Sequence, residues 1–138
     1  ICINDSKATS FDASRQALNS YKNIFWILGG INKKKDKIQL EKLKKNIVQA
    51  YIVGKNKNFF INQFNNKINY KKCIDLPNAF PKVIKDIGIF KKKYSTYKIP
   101  TLLFSPAAAS FDAYKDFEER GNHFKKLFNK NKSKLIYV

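Results

Sequence analysis

The run Ile24–Leu28 constrains the fold more than any other part of the sequence, because every one of its residues is apolar. A strand that is apolar throughout is typical of a sheet with both faces covered by helices. Thr101–Phe104 is a second buried strand, which Ser105-Pro106 ends. Strand-length runs alternate with amphipathic segments along the chain. The sequence therefore predicts an α/β fold with a mostly parallel sheet and helices on both faces.

The remaining elements follow from periodicity and from capping residues. The predicted strands are Cys2–Asn4, Ile24–Leu28, Ile47–Val53, Asn69–Ile74, Thr101–Phe104 and a last strand at Leu135–Val138. The predicted helices are one capped by Ser10 or Asp12, Ile38–Lys45, Asn58–Asn66, Asn78–Tyr94 and one that opens near Ser110, with Asp112 and Asp116 in its first turn. A chain of 138 residues without internal repeats fits one domain, 1–138.

The net charge of +18 raises nucleic-acid binding as a hypothesis. The basic residues are almost all lysines, since Arg15 and Arg120 are the only arginines, and their clusters are scattered along the chain. We therefore favour the interpretation that the lysines reflect a biased amino-acid composition and are solvated, over specific nucleic-acid recognition. Salt-sensitive binding to polyanions is still expected, because it requires only charge.

Cys2 and Cys73 are read as buried, reduced thiols, because they share no metal-ligand spacing. No apolar run approaches membrane-spanning length, so we expect no membrane association. The sequence contains no Met. Together with its start inside a strand, this leads us to expect a fragment of a longer chain.

Three polar or small-residue segments directly follow predicted strands: Asp5–Thr9, Gly29–Lys33 and Ser105–Ser110. In open α/β sheets, ligands bind beyond the carboxyl ends of the strands. A helix that opens at Ser110 would also offer free backbone N–H groups to a carboxylate or a phosphate. The sequence thus predicts an anion site at this edge, without naming the anion.

The exact residues of these segments are more informative than their general chemical character. Ser105-Pro106-Ala107-Ala108-Ala109-Ser110-Phe111-Asp112, followed by Phe117-Glu118-Glu119-Arg120-Gly121, resembles the C-terminal domain of the bacterial Mur ligases, specifically those that add D-glutamate. Asn4-Asp5-Ser6-Lys7-Ala8-Thr9 and Trp26-Ile27-Leu28-Gly29-Gly30 with Lys33 are similar to two further family segments. The resemblance implies a Rossmann-like fold, and it implies that residues 1–138 are one domain of a longer three-domain chain.

The resemblance also implies roles for individual residues. Thr9, Lys33, Ser110, Phe111 and Phe117 match family positions that bind D-glutamate, and Asp5 and Lys7 match positions that face the nucleotide. It implies no catalytic residue and no metal ligand in this domain.

Other readings stay open at several of these positions. Asn32 and Lys34 depart from the commoner family pattern, which leaves the register of the lysine run open. Ser110 is alternatively only a helix cap, and Phe117 a core residue. Arg120 and Glu118 are expected to form an ion pair, Gly121 to allow close helix packing, and His123 to be a surface histidine.

The family activity sets the functional expectation. By resemblance, the full enzyme uses ATP and Mg²⁺, bound mainly by a central domain, to join D-glutamate to UDP-N-acetylmuramoyl-L-alanine in peptidoglycan synthesis, in support of cell shape and division. The sequence has no Gly-x-x-x-x-Gly-Lys-Ser/Thr loop, so this domain alone is not expected to be active. We expect a monomer in the bacterial cytoplasm that works with N-terminal and central domains. The alternatives are a stand-alone non-catalytic module that binds an amino acid or a nucleotide, and a lysine-rich nucleic-acid-binding domain.

Overall fold

The computed structural model describes residues 1–95 and 97–137. In chain order the elements are β1 (Cys2–Asn4), α1 (Phe11–Ser20), β2 (Ile24–Leu28), β3 (Ile47–Ile52), α2 (Lys57–Phe64), β4 (Tyr70–Lys72), α3 (Leu76–Tyr94), β5 (Thr101–Phe104) and α4 (Phe117–Tyr137), with a 3₁₀ turn at Lys44–Asn46. Among these described residues, no helix combines the length and the apolarity needed to cross a membrane.

All five strands form one sheet in the order β1-β5-β2-β3-β4, and every neighbouring pair is parallel. β2 lies at the centre of the sheet. In the pairing register, Trp26 is opposite Leu103 of β5 on one side and Ala50 of β3 on the other. The arrangement confirms the α/β, Rossmann-like fold. The loops after all five strands consequently emerge at the same edge of the sheet.

The two faces of β2 enter two separate hydrophobic cores, as its uninterrupted apolar run predicts. Ile24, Trp26 and Leu28 pack into the core that contains the buried faces of α1 and α2. Phe25 and Ile27 pack into the core that contains α3 and α4. Each fully buried side chain of this size contributes about 1.5–3 kcal/mol. Helices therefore cover both faces of the sheet.

The helix predicted at Ile38–Lys45 is wrong. Residues 38–40 have no regular structure, and a turn at residues 41–43 leads into the 3₁₀ turn at Lys44–Asn46. Leu40 and Leu43 of this segment are nevertheless buried. A segment this short forms a helix only when tertiary packing favours one. Here the N–H groups of Leu43 and Lys44 both donate to the Leu40 carbonyl, at 2.9 and 2.8 Å, in a turn that keeps both leucines buried.

The beginning of the last helix is also corrected. α4 starts at Phe117, not near Ser110. The Asp116 carboxylate accepts a hydrogen bond from the Glu119 N–H at 2.8 Å, so Asp116, not Ser110, caps this helix. The strand predicted at Leu135–Val138 is wrong over 135–137, where α4 continues and Leu135 packs on the α3 side of the core. Val138 lies outside the described residues.

Candidate functional site at the carboxyl edge of the sheet

The three segments singled out in the sequence meet at this edge of the sheet. The Asp5 N–H donates to the Phe104 carbonyl at 2.7 Å, which fixes the loop after β1 against the end of β5. Ile31 and Ala109 exchange two backbone hydrogen bonds, of 3.0 and 2.8 Å, in an isolated antiparallel bridge. That bridge fixes the loop after β2 against the loop after β5. All three loops are therefore held in one frame.

Gly29 and Gly30 make the bridge possible. Their φ angles are +129° and +138°, in a region that L side chains rarely adopt. A Cβ on Gly29 would lie 2.1 Å from the Val53 carbonyl oxygen, and one on Gly30 would lie 2.3 Å from that of Ala109. Only glycine therefore fits either position.

Lys33 belongs to a turn that is attached to the start of α1. The Asp36 N–H donates to the Lys33 carbonyl at 3.2 Å, and the Asp36 carboxylate accepts from the Phe11 N–H at 2.9 Å. Thr9 lies two residues before Phe11 and is half-buried. Lys33 is exposed, and its ammonium has no ion pair or hydrogen bond within residues 1–95 and 97–137. The backbone thus brings Lys33 and Thr9 to neighbouring segments with the lysine charge unused.

Ser110 is buried but does not cap a helix. Its carbonyl accepts from the N–H groups of Ala113 and Tyr114, at 3.1 and 2.9 Å, which makes a turn rather than the first turn of α4. Its hydroxyl makes no hydrogen bond to any described residue, and the residue is 3% exposed. The predicted anion site at a helix N-terminus beginning here is therefore wrong, whereas the Ser110 hydroxyl itself remains available to a ligand.

The two phenylalanines assigned to D-glutamate lie toward solvent. Phe111 is 71% exposed, directly after Ser110. Phe117 is the first residue of α4 and is 36% exposed, so its reading as a core residue is wrong. Its carbonyl accepts from the Ser6 hydroxyl at 2.8 Å. Phe117 thereby connects the start of α4 to the loop after β1.

Asp5 and Lys7, the predicted nucleotide-facing residues, differ in their surroundings. The Asp5 carboxylate accepts a hydrogen bond from the Ser105 hydroxyl at 2.8 Å, while Lys7 is exposed. Burial raises the pKa of Asp5, and the hydrogen bond from Ser105 partly offsets that rise. Asp5 is therefore oriented by the protein, whereas Lys7 is a solvated charge on the same loop.

Arg120 is a residue whose role sequence reasoning missed. It is 3% exposed, and the expected ion pair with Glu118 is absent from the described residues. Its guanidinium donates instead to the Ser6 carbonyl at 2.6 Å, the Ser6 hydroxyl at 3.1 Å and the Ala108 carbonyl at 2.9 Å. Burial lowers the pKa of Arg120 to about 10, so it stays charged at neutral pH. Arg120 joins the loops after β1 and β5 from within the core.

Gly121 confirms the expected close packing of the last helix. A Cβ there would lie 3.1 Å from the Cβ of Ser6. The Gly121 carbonyl accepts from the Asn4 side-chain amide at 2.9 Å. α4 can therefore approach the end of β1 because this position lacks a side chain.

His123 has a partner that the sequence did not reveal. It is half-buried, and its Nδ1 lies 2.7 Å from the Tyr114 hydroxyl. Burial raises the pKa of Tyr114 to about 12, so the phenol keeps its proton and can donate it to His123 in the tautomer whose Nδ1 carries no hydrogen. His123 of α4 is thereby connected to Tyr114, the last residue of the turn that starts at Ser110.

The chemistry of this edge suits an anion with several oxygen atoms. Lys33 supplies a free ammonium, and Ser110 and Thr9 supply hydroxyls that donate to no described residue. Carboxylates prefer such donors. No group of three or more His, Cys, Asp or Glu side chains that could hold a metal ion exists among the described residues.

Comparison with known proteins confirms the sequence resemblance. No family model matches the chain. It is 40% identical over 128 residues to the "UDP-N-acetylmuramoylalanine--D-glutamate ligase" of Wolbachia sp. subsp. Brugia malayi, covering 93% of this chain and 24% of the relative. The ligase of the same name from Wolbachia pipientis wMel is 40% identical, with shares of 91% and 24%. That from Rickettsia bellii is 34% identical, with shares of 91% and 27%. The chain spans about a quarter of the length of these relatives.

Proposed function

The chain is a homologue of the Mur ligases named for joining D-glutamate to UDP-N-acetylmuramoylalanine, and we propose that it is their C-terminal, amino-acid-binding domain. In this proposal, residues 1–138 are one domain of a longer, ATP-dependent ligase of bacterial peptidoglycan synthesis, working in the cytoplasm as a monomer. The missing N-terminal and central domains would bind the nucleotide sugar and most of the ATP. The domain alone would be inactive.

The proposed reaction is amide formation through an acyl phosphate. ATP phosphorylates the carboxylate of UDP-N-acetylmuramoyl-L-alanine, and the amine of D-glutamate attacks the acyl carbon. The C–N bond forms as the C–O bond to phosphate breaks, and the amine loses a proton, so the products are the amide, ADP and phosphate. Mg²⁺, held by the central domain, would neutralise phosphate charge.

The role proposed for this domain is to position the nucleophile. The Lys33 ammonium pairs with one carboxylate of D-glutamate, and the Ser110 hydroxyl, with backbone N–H groups of Phe111 and Phe117, holds the other. Thr9 adds a hydrogen bond. Holding an amine in line with its electrophile supplies several kcal/mol of barrier reduction. Asp5 and Lys7 would reach the nucleotide when this domain closes on the central one.

The double hydrogen bond between Ile31 and Ala109 is the observation that supports this role best. It fixes the loop that carries Lys33 against the loop that carries Ser110. The two groups assigned to opposite ends of one substrate therefore stand on a common rigid frame. Preorganisation of this kind lowers the entropic cost of binding.

The first test is the size of the native gene product, measured in its own cells with an antibody against this domain. A three-domain length is expected. A product of only this size would overturn the proposal and favour the stand-alone binding module.

The second test is a ligase assay of the intact gene product with D-glutamate, ATP and UDP-N-acetylmuramoyl-L-alanine. Lys33→Ala should raise the KM for D-glutamate about tenfold or more, because a hydrogen bond between charged groups contributes about 1.5–3 kcal/mol. Lys34→Ala is the matched control, since Lys34 is an adjacent exposed lysine. Lys34→Ala should leave the KM for D-glutamate and the turnover unchanged. Equal effects of the two variants, or an effect of Lys34→Ala alone, would contradict the assignment of Lys33.

A further inference from the structure

A chain of buried hydroxyls ends at Asp5. The Ser105 hydroxyl lies 2.8 Å from Oδ2 of Asp5 and 2.7 Å from the Ser14 hydroxyl. Ser105 and Ser14 are both fully buried, while Asp5 is only half-buried. Two uncharged groups, one from the loop directly after β5 and one from α1, thus lead to one carboxylate at the edge where the loops meet.

The direction of these hydrogen bonds follows from the proton count. An ionised carboxylate only accepts, and a hydroxyl has a single proton to donate. Ser105 therefore donates its one proton to Asp5. The Ser14 hydroxyl in turn donates to the Ser105 hydroxyl oxygen at 2.7 Å, which is nearer than its other acceptor, the Ser105 carbonyl at 3.5 Å. A hydroxyl that accepts one hydrogen bond becomes a better donor of another, because the bonds in such a chain polarise one another. Ser14 thereby strengthens the contact between Ser105 and Asp5.

Ser105 is also fixed through its backbone. Its N–H donates to the Ile27 carbonyl at 3.2 Å, and its carbonyl accepts from the indole N–H of Trp26 at 2.7 Å. Trp26 is fully buried in the centre of the sheet. Pro106 follows directly and restricts Ser105 to extended backbone conformations. The Ser105 hydroxyl is therefore a rigid donor.

The backbone of Asp5 is held equally firmly. Its N–H donates to the Phe104 carbonyl, and its own carbonyl accepts from the Ala8 N–H at 3.0 Å. With the backbone and Oδ2 both fixed, the only oxygen of Asp5 without a hydrogen bond among the described residues is Oδ1. The arrangement orients one carboxylate oxygen and leaves the other for a ligand.

We propose that Ser105, supported by Ser14, is a positioning residue that holds the Asp5 carboxylate so that Oδ1 accepts a hydrogen bond from a ribose hydroxyl of the nucleotide. This inference rests on the proposed function, which assigns Asp5 to the nucleotide. It adds a specific device: a neutral donor from the central core sets the orientation of a charged acceptor at the rim. A neutral donor suits this task, because a lysine or an arginine in its place would also attract the nucleotide phosphates.

The hydrogen bond itself is tested without any assay of activity. In the wild-type chain and in Ser105→Ala, the side-chain carboxyl carbon of Asp5 is titrated by NMR. Loss of a donor to the ionised form should raise the pKa of Asp5 above its wild-type value. Ser20→Ala is the matched control, because the Ser20 hydroxyl donates only to the Gln16 carbonyl at an exposed helix end. An Asp5 titration unchanged in Ser105→Ala would overturn the inference.

The functional part is tested by ligase kinetics of the intact gene product. Ser105→Ala should raise the KM for ATP about three- to tenfold and leave the KM for D-glutamate within twofold. The rise should stay below that for loss of a direct hydrogen bond to a charged group, because Ser105 acts on the nucleotide only through Asp5. Ser14→Ala should give a smaller rise in the same direction, and Ser105→Thr, which keeps the hydroxyl, should restore the ATP constant. A merely structural role would change both constants or neither.

The outcomes separate the two proposals. If the wild-type product has no ligase activity with D-glutamate, the proposed function fails, and the nucleotide role of Ser105 fails with it. If the wild type is active and Asp5→Asn raises the KM for ATP but Ser105→Ala and Ser14→Ala do not, the positioning role alone is wrong. Should Ser105→Ala fail to fold, Ser14→Ala decides the question, because it leaves Ser105 and Asp5 in place.

Discussion

Replacement of Arg120 by Met provides the sharpest test of how the two loops are joined. The substitution keeps a long, flexible apolar stem but removes all three hydrogen bonds of the guanidinium. The Ser6 hydroxyl keeps its bond to the Phe117 carbonyl, so the groups left without this donor are the carbonyl oxygens of Ser6 and Ala108. Each orphaned buried acceptor costs about 1–3 kcal/mol.

Part of that cost is offset, because a buried guanidinium is itself unfavourable. Burial lowers the pKa of Arg120 from its ordinary value to about 10, which means that folding disfavours the charged form. Removal of the charge recovers some of this penalty. We therefore expect Arg120→Met to lower the free energy of unfolding by about 3 kcal/mol, a large share of the 5–15 kcal/mol typical of a domain.

The assay is equilibrium unfolding of the chain in urea, followed by tryptophan fluorescence of Trp26. A lower midpoint with an unchanged slope would report lost stability rather than an altered denatured state. Arg15→Met is the matched control. Arg15 pairs with Asp12 at 3.0 Å, but the two side chains are 57% and 82% exposed, so the loss should stay within about 0.5 kcal/mol.

The stability loss in Arg120→Met should not depend on pH near neutrality. Because the pKa of Arg120 lies at about 10 in the folded chain and higher in the unfolded chain, Arg120 is protonated in both from pH 6 to pH 9. The stability difference between Arg120→Met and wild type should therefore be constant over that range. A loss below about 1 kcal/mol, or a loss equal to that of Arg15→Met, would refute the view that this arginine holds the loops together.

Two further predictions concern the same edge of the sheet. Gly30→Ala should lower the free energy of unfolding by more than about 2 kcal/mol, because the new Cβ would lie 2.3 Å from the Ala109 carbonyl oxygen at a φ of +138°; a thermal midpoint equal to that of wild type would show that the loop relaxes freely. Asp5→Asn should be more stable than wild type at pH 7, because burial raises the pKa of Asp5 and so makes its ionised form unfavourable in the fold. The advantage is present above the folded-state pKa and should vanish as the pH falls below the unfolded value of 3.8, and urea midpoints that differ equally at both pH values would contradict it.

Hydrophobic periodicity predicted most helices and strands, because it depends only on residues that are neighbours in the chain. β5 was predicted with its observed bounds, Thr101–Phe104, and β2 likewise, since short runs of apolar and β-branched residues that end at glycine or proline favour strands buried on both faces. α3 was predicted to begin two residues late, because the Asp75 cap and Pro77 signal was passed over. The helix predicted near Ser110 is wrong because serine, aspartate and small residues favour turns as well as caps.

The candidate site was likewise predictable in part. Its location at the strand ends could be predicted, because parallel strands all point their carboxyl ends to one edge. The partners of Arg120 could not. Its acceptors lie 114 and 12 residues away, and the nearby Glu118 offered a plausible local partner. The one available signal was Arg120 and Gly121 standing side by side in a helix that must pack closely.

The sequence by itself determined that this chain forms a helix-covered parallel sheet, that glycines follow its central strand, and that its polar segments follow strand ends. These properties depend on the alternation, size and backbone freedom of residues that are neighbours in the chain. Only the tertiary structure decided that β5 lies between β1 and β2. That placement brings Ser105 to Asp5 and Arg120 to Ser6, because hydrogen bonds between residues a hundred positions apart depend on which strands are adjacent, and no local pattern encodes that order.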